Sequence, residues 1–199
     1  MTDARFAAYS RTLDQLVRGT LVTDKAGQAV LLETAISRLG RQMRQRQDEG
    51  NRIFFIGNGG SAGIASHLAT DFSKNGGMRA SALNDGSVLT CLGNDLGYEF
   101  VFSKQLEWHT RPGDVIVAIS SSGRSKNILN GAVVARERDC LLYTFSGFDA
   151  NNPLRSLGDV NFFVASHAYG FVEVAHLALL HGVLDIQMGW QPEVQSTAA

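Results

Sequence analysis

From Asn51 onward the chain is a series of short apolar runs, each unbroken by polar alternation and ending in Gly or Ser. Most are followed by a stretch with helical spacing. Ile53–Ile56 leads into Gly57-Asn58-Gly59-Gly60-Ser61 and a helix to about Lys74. Val115–Ile119 leads into Ser120-Ser121-Ser122-Gly123-Arg124-Ser125 and a helix to about Arg138. Leu141–Phe145 stops at Ser146-Gly147, and Asn161–Val164 precedes a last helix from about Gly170 to Met188. Arg79–Leu83 is a weaker run of the same kind. Successive strand residues point to opposite faces, so a run without alternation requires apolar cover on both. Helices following each strand supply it, and the expected fold class is α/β, a parallel sheet with helices on each side.

The first fifty residues have few strand formers and no proline. Ser10–Val22 and Gly27–Asp48 place Leu13, Leu16 and Val17, then Leu31, Ile36, Leu39 and Met43, at helical spacing. Arg41, Arg44, Arg46 and Asp48 form a solvated outer face. Such apolar stripes must be buried on their own domain or on a second copy of it, which points to a homo-oligomer.

The chain of 199 residues suits one domain, taken as 1–190 with the helical segment at about 1–50; residues 191–199 are expected to be disordered. With 44% hydrophobic and 19% charged residues it is ordinary for a soluble protein. A net charge of -1 argues against a nucleic-acid partner. No apolar run reads as long enough to span a bilayer, and Met1-Thr2-Asp3-Ala4-Arg5-Phe6 lacks the pattern of a signal peptide. Cys91 and Cys140, far apart and in apolar surroundings, are expected to be buried, reduced thiols. A cytoplasmic protein is the expectation.

Two loops stand out at strand ends, where open α/β sheets bind ligands. Asn58-Gly59-Gly60-Ser61 lets the backbone approach a ligand closely. Ser120–Ser125 offers four hydroxyls, free N–H groups and the positive end of the next helix, a combination suited to a phosphate dianion. Neither loop is a Walker A or a G-x-G-x-x-G motif, so nucleotide chemistry lacks support. Ordinary strand-to-helix turns also favour Ser and Gly, but two such loops after parallel strands argue for an anion.

On the helix after the first loop, His67 and Asp71 share a face at i, i+4 spacing. Glu173, His176 and His181 interrupt the otherwise apolar Val172–Ile186. Buried polar groups need partners, and a divalent cation between His and carboxylate groups would provide one; such ligands suit zinc. Helical spacing leaves His176 and His181 equally open as the partner of Glu173.

The order of Gly57–His67, Leu92-Gly93-Asn94-Asp95, Ile119–Ser125 and a His-bearing last helix resembles the phosphoheptose isomerase family over nearly the whole chain. The resemblance implies the sugar-isomerase (SIS) fold: a three-layer αβα sandwich with a five-stranded parallel sheet, preceded by N-terminal helices, in a homotetramer. It implies isomerisation of sedoheptulose 7-phosphate to D-glycero-D-manno-heptose 7-phosphate through an enediol, with zinc bound, for heptose and surface-polysaccharide synthesis. Substrate contacts carry over to Asn58, Gly59, Gly60, Ser61, Asp71, Asn94, Asp95, Ser120, Ser121, Ser122, Ser125 and Glu173. Metal ligands carry over to His67, Asp71, Glu173 and His181, and the acid/base pair to Asp71 and His181; His176 is then a residue that supports the ligands from behind or a packing residue. The chain departs from the family in three places. Asp71 and Glu173 stand where the family usually has Glu and Gln, and Ser166–Phe171 lacks its usual Asp and Arg. His167 is read there as a substitute substrate contact. The alternatives are an isomerase of another sugar phosphate, or a non-enzymatic tetrameric SIS protein that binds a replication initiator.

Overall fold

The computed structural model describes residues 4–192. Its elements run, in chain order, α1 (Arg5–Arg18), β1 (Leu21–Asp24), β2 (Ala29–Val30), α2 (Leu32–Asp48), β3 (Ile53–Gly57), α3 (Gly60–Lys74), β4 (Ala80–Ala82), α4 (Gly86–Asp95) and α5 (Val101–His109). They continue with β5 (Val115–Ser120), α6 (Lys126–Glu137), β6 (Leu141–Gly147), β7 (Val160–Val164) and α7 (Tyr169–Gln187). Of the tail expected to be disordered, residues 193–199 lie outside the described residues.

All five expected strands form and pair in parallel in the order β7-β6-β5-β3-β4. The sheet itself has seven strands, not five, and is mixed. The extra two are β1 and β2, an antiparallel hairpin on the free edge of β7, with Val22 opposite Phe162. Helix was expected over Ser10–Val22 and from Gly27, so this stretch is a correction. The turn is local chemistry: Asp24 Oδ1 accepts from the N–H of Ala26 and Gln28 at 2.9 Å each, and Gly27 takes a φ of +78°. Strands of four and two residues are too short to show a period, and only the open edge of β7 makes them strands. Two helices, α4 and α5, are additional; α4 carries a local signal, Asp85 accepting from Val88 N at 2.9 Å as its N-cap.

Adjacent residues of β3 face opposite layers. Phe55 packs with Leu39, Met43, Phe72 and Leu180 from α2, α3 and α7. Phe54 packs with Phe102, Leu106, Ile128 and Ala132 from α5 and α6. Phe54, Phe55 and Phe72 are at most 1% exposed, each burial worth roughly 2–3 kcal/mol. The sheet thus has the two-sided cover expected from its unbroken apolar strands. α7 is long and apolar enough to cross a membrane by length and composition, contrary to the expectation of no such run. It has seven buried residues and packs on α2 and α3, as a core helix does. Cys140 is buried as expected, whereas Cys91 is exposed, because it lies on the outer side of α4.

Candidate active site

The chain passes from β3 to β4 on one side and to β5 on the other, so strand order reverses between β3 and β5. The loops after these two strands part there and leave a crevice, the position where open parallel sheets bind ligands. A cleft of about 250 Å³ opens at this point, lined by Asn58, Gly59, Gly60, Ser61, Ser120, Ser121, Ser122, Ser125, Tyr169 and Glu173. Nine of these ten are expected substrate contacts; Tyr169 is the addition.

Ser120 and Ser121 are each 5% exposed. Ser120 Oγ accepts from Gly123 N at 3.2 Å, which shapes the loop, whereas the buried Ser121 hydroxyl has no partner among the described residues. An unpartnered hydroxyl is costly unless something binds it, and this one belongs to a cleft wall. Gly123 takes a φ of +61°, and a side chain there would run into Asn152, so the loop tolerates only glycine at its apex. Arg124 turns outward to Asp149, with Nη2 and Oδ2 2.6 Å apart.

The two loops are tied together. Asn58 and Asn127, the latter in the first turn of α6, exchange reciprocal amide hydrogen bonds of 2.9 Å. Tyr98 donates to the same Asn58 oxygen at 3.0 Å. Asn127 was not expected at the site; its place two residues after Ser125 was its only signal in the sequence. Tyr98 brings the end of α4 up beside the cleft, but Asn94 and Asp95 are exposed and do not line it. There Asn94 donates to Asp95 at 2.9 Å.

Farther along α3 and α7 lies a second constellation. His67 Nε2 and His181 Nε2 are 3.0 Å apart, and Asp71 Oδ2 is 3.4 Å from the first ring and 3.9 Å from the second. One ligand atom from each of the three residues fits within 4.8 Å of the others. Two imidazole nitrogens facing each other can share at most one proton in the neutral state, and a cation satisfies both lone pairs. Two imidazoles and a carboxylate are a zinc-type donor set, so these residues fit a metal. Glu173 does not join them. Eight residues before His181, roughly 12 Å along a helix, it lies against Gly60, where a side chain would run into its carboxylate.

His176 is fully buried and makes a 3.1 Å contact from Nε2 to Ser146 O. Desolvation pushes its pKa down to about 4, which keeps it neutral and makes Nε2–H the donor. It packs in the core against Phe145, one of the two roles expected for it. His167 is exposed and stacks on Phe148 at 5.9 Å, outside the cleft lining.

Residues 26–147 match the model of the SIS domain. A phosphoheptose isomerase of Helicobacter hepaticus is 36% identical over 161 residues, covering 78% of this chain and 82% of that one. The structure of a phosphoheptose isomerase from Neisseria gonorrhoeae has a TM-score of 0.80 and 31% identity, covering 92% of this chain and 95% of the other. One from Francisella tularensis, 22% identical with a TM-score of 0.77 over 92% of this chain and 96% of its own, shares the fold. By sequence, domain and fold together, this chain belongs to the SIS-domain phosphoheptose isomerases, a family of isomerase enzymes.

Proposed function

We propose that the chain converts sedoheptulose 7-phosphate to D-glycero-D-manno-heptose 7-phosphate in the cytoplasm, for the synthesis of a heptose-bearing surface polysaccharide. The observation that carries this reading is that one helix pair, α3 and α7, serves both the anion cleft and the imidazole–carboxylate cluster. Gly60 lies against Glu173 and His67 faces His181, so the two helices run side by side in the same direction.

In this reading the phosphate sits on Ser120, Ser121, Ser122 and Ser125, held by hydroxyls, N–H groups and the N-terminus of α6. Asn58, Gly59, Gly60, Ser61 and Glu173 contact the sugar. Asn94 and Asp95 are assigned to a substrate contact at a subunit boundary. A proton leaves C1 of the ketose, the enediol forms, and a proton returns to C2. The net transfer from the O1 hydroxyl to O2 completes the balance. Asp71 and His181 are the acid/base pair for these transfers, with Asp71 Oδ2 3.9 Å from His181 Nδ1. His67, Asp71 and His181 would hold zinc, whose positive charge, when bound, favours the negative enediolate oxygen.

A homotetramer belongs to the same reading. Leu13, Leu16 and Val17 of α1 pack, half-buried, against the chain's own core, but on the same helix Phe6 is 79% exposed and Tyr9 is exposed too. The test is direct: purified protein with zinc and sedoheptulose 7-phosphate should yield the aldose phosphate, and absence of that product would overturn the assignment.

A further inference from the structure

Three side chains join the glycine loop, the start of α6 and the segment between α4 and α5, and the direction of their hydrogen bonds is fixed from one end. The backbone N–H of Ile128 donates to Asn127 Oδ1 at 2.9 Å, and a backbone N–H can only donate. Asn127 Oδ1 is therefore the oxygen that accepts from Asn58 Nδ2, and Asn127 Nδ2 is the donor to Asn58 Oδ1. The second lone pair of Asn58 Oδ1 takes the Tyr98 hydroxyl at 3.0 Å. Both acceptor positions of Asn58 are then filled. One N–H of its amide is what remains without a partner among the described residues, and Asn58 lines the cleft.

Tyr98 is 56% exposed, so its place is set by its neighbours rather than by burial. Gly97, with a φ of +100°, turns the chain out of α4. Asn130 Nδ2 donates to Glu99 O at 2.9 Å and pins the following residue to α6. The Tyr98 ring lies along Gly93. Water could satisfy an exposed phenol, so the bond to Asn58 matters to Asn58 more than to Tyr98.

We infer that Tyr98 is a positioning residue that holds the Asn58 amide as a pure donor toward the cleft. The proposal rests on the sugar-phosphate reading of that cleft. With Tyr98 in place, turning the amide over sets its N–H groups against those of Asn127 and loses the phenol bond as well. Without Tyr98, one lone pair of Oδ1 is free, and the amide is held from one side only. Asn58 then meets a ligand oxygen with a donor whose direction is no longer fixed. Tyr98 touches no ligand in this account and acts through Asn58.

Heteronuclear NMR of the full, nitrogen-labelled chain can follow the Asn58 side-chain amide, identified by its loss in Asn58→Ala. Tyr98→Phe should speed solvent exchange of those amide protons severalfold while leaving Tm unchanged, since the ring and its packing stay. By calorimetry the same variant should bind sorbitol 6-phosphate, which cannot be isomerised, about fivefold more weakly, the scale of one neutral hydrogen bond. Inorganic phosphate, seated on the serine loop, should bind as it does to the native protein. A purely structural role would instead lower Tm and weaken both ligands together, and that result overturns the inference. Unchanged amide exchange, or unchanged affinity for sorbitol 6-phosphate, overturns it too. A native protein that binds neither ligand removes the cleft reading and this inference with it. If the expected losses appear but sedoheptulose 7-phosphate gives no aldose, the isomerase assignment falls and the role of Tyr98 is supported.

Discussion

Nε2 of His67 on α3 and Nε2 of His181 on α7 face each other 3.0 Å apart, with the Asp71 carboxylate beside both rings. The pair joins two helices whose N-terminal ends meet at the anion cleft, so whatever binds between the imidazoles also sets how those helices lie.

Zinc should therefore stabilise the fold. At a hundredfold excess over its dissociation constant a ligand adds about 3 kcal/mol, which for a chain of this size raises Tm by roughly 5–10 °C. Differential scanning calorimetry should show this rise, and a chelator should reverse it. His67→Ala and His181→Ala should each abolish it. An undiminished rise in both variants would place the ion elsewhere.

The reciprocal bonds between Asn58 and Asn127 hold the glycine loop and the serine loop in register. Asn127 is 2% exposed, so Asn127→Ala strands the Asn58 amide and should cost about 2 kcal/mol by urea denaturation. The same variant should weaken phosphate binding, because the loops are no longer fixed relative to each other. Loss of stability with unchanged phosphate affinity would show that the tie serves the fold alone.

His176 links stability to acid pH. Burial lowers its pKa to about 4 from an ordinary 6.5, so between those values the unfolded chain takes up a proton that the folded chain refuses. Its contribution is complete above about pH 6.5 and is lost as pH falls toward 4, a span worth on the order of 3 kcal/mol. Denaturation curves across that range should show the decline, and His176→Gln should flatten it while lowering stability at pH 7. An equal slope in the variant would assign the decline to other groups.

Cys91 is exposed, with its Sγ 3.6 Å from an oxygen of Asp95, and hydrogen bonding to that carboxylate raises the thiol pKa. Burial pushes the Cys140 thiol up to about 11. Ellman's reagent should label one thiol in the native protein, slowly, and Asp95→Asn should speed it by favouring the thiolate. Two thiols reacting at equal rates would contradict this arrangement.

Much of this molecule could be read along the chain. Ile53–Ile56, Val115–Ile119, Leu141–Phe145 and Asn161–Val164 are strands because unbroken apolar runs can be buried on two faces and nowhere else. The same pattern located both cleft loops, since a strand's end and the next helix's start leave little choice about where Gly and Ser must lie. The hairpin at Leu21–Val30 was not legible, because its strands exist only through pairing with the edge of β7. Asn127 was hidden for a similar reason: its partner Asn58 is 69 residues away.

The sequence by itself determined the layers, the parallel strands and the chemical types gathered near the strand ends, all of which follow from local periodicity and turn chemistry. Only the tertiary structure decided how those groups are shared out. His67, Asp71 and His181 meet because α3 and α7 lie side by side, while Glu173, on the same helix as His181, is carried two turns away to the end of α3 at Gly60. Helical spacing states which residues share a face; the packing of a second helix states what each of them meets.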